Sequence, residues 1–136
     1  MTLYLLDTNI CIAYLNNSNV NVVYQLKNIS PNDVYLCQIV KAELMYGACK
    51  SKSTRQAENI ARAERFFRQF KSLPFDNKSV ATYGRIRANL NKIGKPIGPN
   101  DLIIASIAVA HDVTLVTHNI REFSRIPQLK YVDWMK

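Results

Sequence analysis

Short apolar runs alternate along this chain with longer stretches in which apolar residues recur every three or four positions. The first pattern predicts buried strands and the second amphipathic helices. Leu3 to Leu6 predicts a first strand. Asn9 to Leu15 and Val20 to Ile29 predict two helices, parted by the Asn16-Asn17-Ser18-Asn19 turn. A second turn at Ser30-Pro31-Asn32 leads to a strand at Val34 to Cys37.

Ile39 to Cys49 predicts a third helix and Thr54 to Lys71 a longer one. The longer one sets Ile60, Ala63, Phe66, Phe67 and Phe70 on one side and Arg55, Glu58, Arg62, Arg65 and Arg68 on the other. Leu73 to Phe75 predicts a short strand. Asn77 to Ile93 predicts a helix, with Asp76 as its N-cap. After the Gly/Pro loop from Gly94 to Pro99, Asp101 to Ala110 is apolar almost all round, as a central buried helix is. Val113 to Val116 predicts another strand, residues 119 to 124 a turn or short helix, and Leu129 to Val132 a last edge strand.

Strands that read as continuous apolar runs and alternate with helices predict a parallel sheet covered on both faces. The expected fold is therefore α/β: one three-layer α/β/α sandwich over residues 1–136, around a central, mainly parallel sheet. No apolar run approaches the roughly 18 residues of a membrane span. The N-terminus carries no secretory pattern. Cys11, Cys37 and Cys49 have neither metal-type spacing nor an even count, so reduced, mostly buried thiols and a cytoplasmic location are expected.

Charge changes the picture. The 18 Lys and Arg outnumber the 10 Asp and Glu, a net +8 that suits an anionic partner, nucleic acid first. Six acids have local explanations. Glu58 and Glu64 stand among arginines, Asp33 and Asp112 in turns, Asp133 in the tail, and Asp76 at a helix start. Four are harder to dismiss. Asp7 ends a strand, as a helix cap or as a group at the ligand-binding edge of the sheet. Glu43 leans toward an apolar helix face, as a rim residue or as a ligand. Asp101 opens the most apolar helix, where the helix dipole also favours an acid. Glu122 follows the Leu115-Val116-Thr117 run, as an exposed loop acid or as a companion of Asp7.

The expected topology gathers these four at the carboxyl edge of the sheet. Two carboxylates about 5 Å apart repel by roughly 3 kcal/mol at an effective dielectric near 20. A hard cation relieves that repulsion, and Mg²⁺ or Mn²⁺ suits an all-oxygen site with water in it. Such a site fits phosphodiester hydrolysis. Thr8, Asn9, Thr117 and Asn119 are candidate supports for the acids or contacts to phosphate. Arg85, Arg87, Lys92, Lys95 and His118 are candidate RNA contacts.

In this order the motifs resemble the PIN-domain ribonucleases of the VapC toxin group, from type II toxin–antitoxin modules. They are Leu5-Leu6-Asp7-Thr8-Asn9, Ala42-Glu43-Leu44 with Gly47, Gly94-Lys95-Pro96-Ile97-Gly98-Pro99-Asn100-Asp101 with Ile104-Ala105, Leu115-Val116-Thr117-His118-Asn119, and Glu122-Phe123. The resemblance spans nearly the whole chain. It implies a metal-dependent endoribonuclease acting on structured RNA, with tRNA a common target, and a Mg²⁺ or Mn²⁺ pocket. It also implies a homodimer and a small antitoxin whose tail covers the pocket.

The family acids fall on Asp7, Glu43 and Asp101, with the fourth place taken by Glu122 or by Asn119 as a neutral partner. Asn119 stands where many members carry Asp, and Gln38 where many carry Ser or Thr. Two rival readings remain: a non-catalytic RNA-binding or regulatory module on the same fold, and a phosphoacceptor receiver-type signalling domain. The receiver would need paired acids after the first strand and a late lysine beside the pocket, and this chain has neither.

Overall fold

The computed structural model describes all of residues 1–136. Five strands form one sheet in the order β3-β2-β1-β4-β5, and every pairing is parallel. They are β1 (Tyr4–Leu6), β2 (Val34–Cys37), β3 (Lys71–Leu73), β4 (Thr114–Val116) and β5 (Tyr131–Val132). Seven helices connect them: α1 (Thr8–Leu15), α2 (Val20–Asn28), α3 (Gln38–Cys49), α4 (Ser53–Phe67), α5 (Asn77–Lys92), α6 (Pro99–Ala110) and α7 (Ile120–Phe123). Parallel neighbours need crossovers, and these helices supply them and cover the sheet.

The strands are short and deeply placed. Leu5, Leu6, Leu36, Leu115 and Val116 are wholly buried. They belong to one apolar cluster with Ile10 and Cys11 of α1, Val40 of α3, Phe66 of α4, Ile86 and Leu90 of α5 and Ile104 of α6. Helix α6 buries Leu102, Ile104, Ala105, Ser106, Ile107 and Ala108, as its all-round apolar pattern requires. The hydroxyl of Ser106 is satisfied there by donating to the Leu102 carbonyl at 2.6 Å.

Two expected boundaries are corrected. Helix α4 ends at Phe67 rather than Lys71, and β3 spans Lys71–Leu73 rather than Leu73 to Phe75. Past α4, Phe70 folds back edge-on against Phe66 at 5.2 Å between ring centroids. Pro74 has no N–H to give a sheet ladder, so pairing stops before it. Strand β3 lies on the sheet edge with Lys71 and Ser72 exposed, which is why no apolar run marks it. The last strand likewise shortens to Tyr131–Val132, with Leu129 buried outside it.

The turns match their residues. Asp76 caps α5, its Oδ1 accepting from the Ser79 N–H at 3.0 Å. Asn17, Gly94 and Asp112 adopt left-handed backbone angles (φ of 51°, 69° and 55°) just past the ends of α1, α5 and α6. Behind Gly94, the N–H of Lys95 donates to the Leu90 carbonyl at 2.9 Å and that of Gly94 to Asn91 at 3.1 Å, a Schellman closure. His111, on no predicted element's buried face, is half-buried instead of free at the surface: its Nε2 lies 3.1 Å from the Pro74 carbonyl and 3.4 Å from Asp76 Oδ2. Cys11 and Cys37 are buried free thiols, and Cys49 is an exposed one. No helix is long and apolar enough to cross a membrane.

Candidate active site

All five strands point the same way, so their carboxyl ends share one edge of the sheet. The chain leaves β1 toward β2 and β3 on one side, and continues through β4 and β5 on the other. Ligands of open parallel sheets bind at such a reversal of strand order. Asp7 directly follows β1 and Thr117 directly follows β4, so the reversal brings them together across 110 residues. The Asp7 N–H donates to the Val116 carbonyl at 2.9 Å, extending the ladder by one residue.

Both carboxylate oxygens of Asp7 are held. Oδ1 accepts from the Thr8 N–H at 2.8 Å, at the first amide of α1, and Oδ2 accepts from the Thr117 hydroxyl at 2.8 Å. Asp7 is thus both the cap of α1 and a group of the sheet edge. It is only 4% exposed. Burial pushes its proton affinity up, the hydrogen bonds from Thr117 and Thr8 pull it down, and the nearby Glu43 charge raises it again.

Glu43 reaches the same place from α3, whose N-cap residue Cys37 gives no side-chain cap bond. Its Oε1 accepts from the Thr8 hydroxyl at 2.8 Å, so Thr8 ties Glu43 to Asp7. On its other side Glu43 borders a half-apolar groove of about 230 Å³ between α1, α3 and α4. Asp101 stands in the first turn of α6, after Gly98 and Pro99, and is half-buried.

Asn119 lies between two of the acids. Its amide nitrogen lies 3.1 Å from Glu122 Oε2 and 3.4 Å from Asp101 Oδ2, and its N–H donates to the Thr117 hydroxyl at 3.0 Å. Glu122 therefore belongs to the cluster, with Asn119 as a neutral link between two acids. Asp101 is pushed up to about 6, first by burial and then by the charges of Asp7, Glu122 and Glu43. Four acids from four segments thus feel one another's charge. None of them pairs with Lys or Arg, since the ion pairs of the molecule lie elsewhere.

All donors in the cluster are oxygens, which suits a hard cation. No three of them, nor any other three His, Cys, Asp or Glu side chains, stand close enough to share one ion. A hard cation such as Mg²⁺ keeps several waters and needs only one or two carboxylates directly, so three converging ligands are not required of such a site. The two buried thiols stay protonated. Burial first, then the Asp7 charge, raises Cys11 well above the ordinary thiol range. Burial likewise holds Cys37 neutral.

The remaining sequence candidates divide. Asn9 is exposed and its side chain makes no hydrogen bond. Arg85 rests on Thr82 and Arg87 on Tyr83, at 3.5 Å and 3.0 Å, with no contact to the acids. Lys92 ends α5, exposed. Lys95 lies in the loop that leads to Asp101. His118, exposed beside Thr117, has its Nδ1 2.9 Å from Asp133 Oδ2. Asp133 was assigned to the tail. It sits instead just past β5, at the same sheet edge, with its side chain only 7% exposed. Parallel pairing of β5 to β4 puts it there, and a lone acid near a chain end gives no local signal of that. The cations Arg121 and Arg125 also escaped notice, although their four-residue spacing around Glu122 was visible.

The fold agrees with what the chain resembles among known proteins. The PIN domain family matches residues 4–129. Over 135 residues the chain is 40% identical to ribonuclease VapC2 of Rickettsia felis, across 98% of this chain and 99% of that protein. It is 35% identical over 134 residues to the tRNA(fMet)-specific endonuclease VapC of Salmonella typhimurium, across 98% and 99%. The DNA-bound VapBC structure from Salmonella typhimurium superposes with a TM-score of 0.90 at 34% identity, over 98% of this chain and 99% of that one. The promoter-bound VapBC2 structure from Rickettsia felis gives 0.89 at 38% identity, over 98% and 99%. This chain belongs to the PIN-domain family, and within it to the VapC ribonucleases.

Proposed function

We propose that the chain is a Mg²⁺- or Mn²⁺-dependent endoribonuclease that cleaves structured RNA, with tRNA as its target class and a cognate antitoxin as its partner. The observation that carries this reading is the cluster of Asp7, Glu43, Asp101 and Glu122 at the strand-order reversal, where burial first and then the neighbouring charges raise Asp101 to about 6. The initiator-tRNA target is taken from the Salmonella typhimurium relative, and the antitoxin from the VapBC assemblies that share this fold.

Of Asp7, Asp101 and Glu43, two would hold the ion directly and the third through one of its waters. When bound, the ion supplies a water of lowered pKa and neutralises charge on the phosphodiester. The protein's part is positioning. Thr8 and Thr117 lock Asp7 in one orientation, and Thr8 locks Glu43 beside it. Asn119 keeps Glu122 and Asp101 a fixed distance apart without adding a fifth charge. The surplus of cations over the chain draws the polyanion to the protein. Exposed Phe75 and Val80 near Tyr83, at the start of α5, support a homodimer in addition.

Incubation of the protein and of Asp7→Asn with initiator tRNA in Mg²⁺, in Mn²⁺ and in EDTA tests the reading. The expected result is one discrete cut that needs both Asp7 and the metal. Cleavage that persists in EDTA or in the variant sinks the metal mechanism. RNA binding with no cleavage in either metal returns the non-catalytic module.

A further inference from the structure

Beside the acids lies a second charged feature of the opposite sign. A shallow depression of about 640 Å³ opens between the Gly94–Pro96 loop and α7. Lys95, Arg121 and Arg125 line it, with Ile93 as its one apolar wall and no acid. Arg121 is the chain neighbour of Glu122, yet no ion pair forms between them. The carboxylate turns to Asn119 at 3.1 Å, and neither Arg121 nor Lys95 has a carboxylate partner. Arg125 is held in place, donating to the Pro96 carbonyl at 2.8 Å, so α7 and the loop form one wall. The Schellman closure at Gly94 fixes where that loop leaves α5.

Three cations converging without an acid repel one another, as the four carboxylates do next door. An anion relieves the one cluster as a cation relieves the other. We propose that Lys95, Arg121 and Arg125 form a phosphate subsite that holds the RNA backbone within a nucleotide or two of the cleaved bond. This rests on the ribonuclease reading and extends it to the placement of the strand. Two links join the subsite to the acids: adjacent residues 121 and 122 on α7, and the 95–101 segment leading to Asp101. Those chain links keep the basin next to the acids, so a strand bound at the one lies beside the other. An open basin rimmed by guanidinium groups suits a backbone phosphate, which takes paired N–H donors.

The test is binding of fluorescein-labelled initiator tRNA, followed by anisotropy in EDTA over a range of KCl concentrations. Lys95→Gln and Arg121→Gln alter exposed side chains that make no hydrogen bond, so the fold is left undisturbed. Arg125→Lys keeps the charge and removes the bond to Pro96. Lys27→Gln with Arg65→Gln, beside α2 and α4, serves as control.

Each removed rim charge is expected to lower the slope of log affinity against log salt by about 0.7 to 0.9. The control pair is expected to lower it by less than the rim pair. In Mg²⁺, the rim variants are expected to raise KM for cleavage with kcat held. Slopes unchanged by the rim variants, or lowered as much by the control pair, overturn the subsite. So does a pair of rim variants whose loss appears only in antitoxin binding, which would make the basin a protein contact. Absence of cleavage by the unaltered protein counts against the ribonuclease reading alone, since the slopes are read without metal.

Discussion

Asp101 bears the heaviest electrostatic load of the four acids, because burial and three neighbouring charges all act on it in one direction. Its proton is held more tightly in the folded chain, at about 6, than the ordinary value of 3.8. The folded state therefore gains from protonation at low pH. That contribution is lost as pH rises from about 4 through about 6, and nothing further changes above this window. Half the group meets solvent, so screening reduces the effect to about 1 kcal/mol.

Metal-free protein in EDTA is therefore expected to be more stable to urea at pH 4.5 than at pH 7 as far as this group is concerned. Asp101→Asn is expected to flatten that difference and to raise the neutral-pH melting temperature by about 3 °C. The same change is expected to abolish cleavage. A variant that is no more stable, or whose pH profile keeps its slope, would show that the repulsion is relieved by other means. Asp7 and Glu43 were legible in the sequence because each is an acid set among apolar residues. Asp133 was not, because only the pairing of β5 with β4 carries it to the sheet edge.

Helix α5 shows what the chain's elements ask of single residues. Gly94 has φ of 69° and no atom within 4 Å of where a Cβ would stand. Gly84, in the middle of the same helix, has equally open surroundings and ordinary helical backbone. Gly94→Ala is therefore expected to cost about 1 kcal/mol through backbone strain alone. Gly84→Ala is expected to stabilise by about 0.5 to 1 kcal/mol through lower freedom of the unfolded chain. Thermal melts of both variants check the opposite signs, and two effects of one sign would contradict the assigned backbone.

The central elements were readable because β1, β2 and β4 are covered on both faces and leave unbroken apolar runs. Strand β3 was misplaced by two residues. At the edge it needs no apolar face, and Pro74 marks its end rather than its middle.

For the molecule as a whole, packing divides the three thiols. Cys49 is exposed, while Cys11 and Cys37 lie in the core. A thiol reagent is expected to modify one cysteine quickly under native conditions, and the other two only at the rate of opening of the core. Fast reaction of two or three would mean that α1 or β2 opens independently of the rest. The layered architecture was legible as a whole, since alternating strands and helices leave few arrangements open. The acidic cluster was legible with it, but the basic one was not, because Arg121 and Arg125 look like ordinary surface residues in the sequence.

The bond from Thr117 to Asp7 joins residues 110 positions apart, and that separation has a consequence during synthesis. At roughly 5 to 20 residues added each second, Asp7 joins the chain about 6 to 22 s before Thr117 does. Until then β1 lacks its β4 neighbour, and Glu122 of α7 follows later still. The four acids therefore come together only as the last strands of the chain emerge.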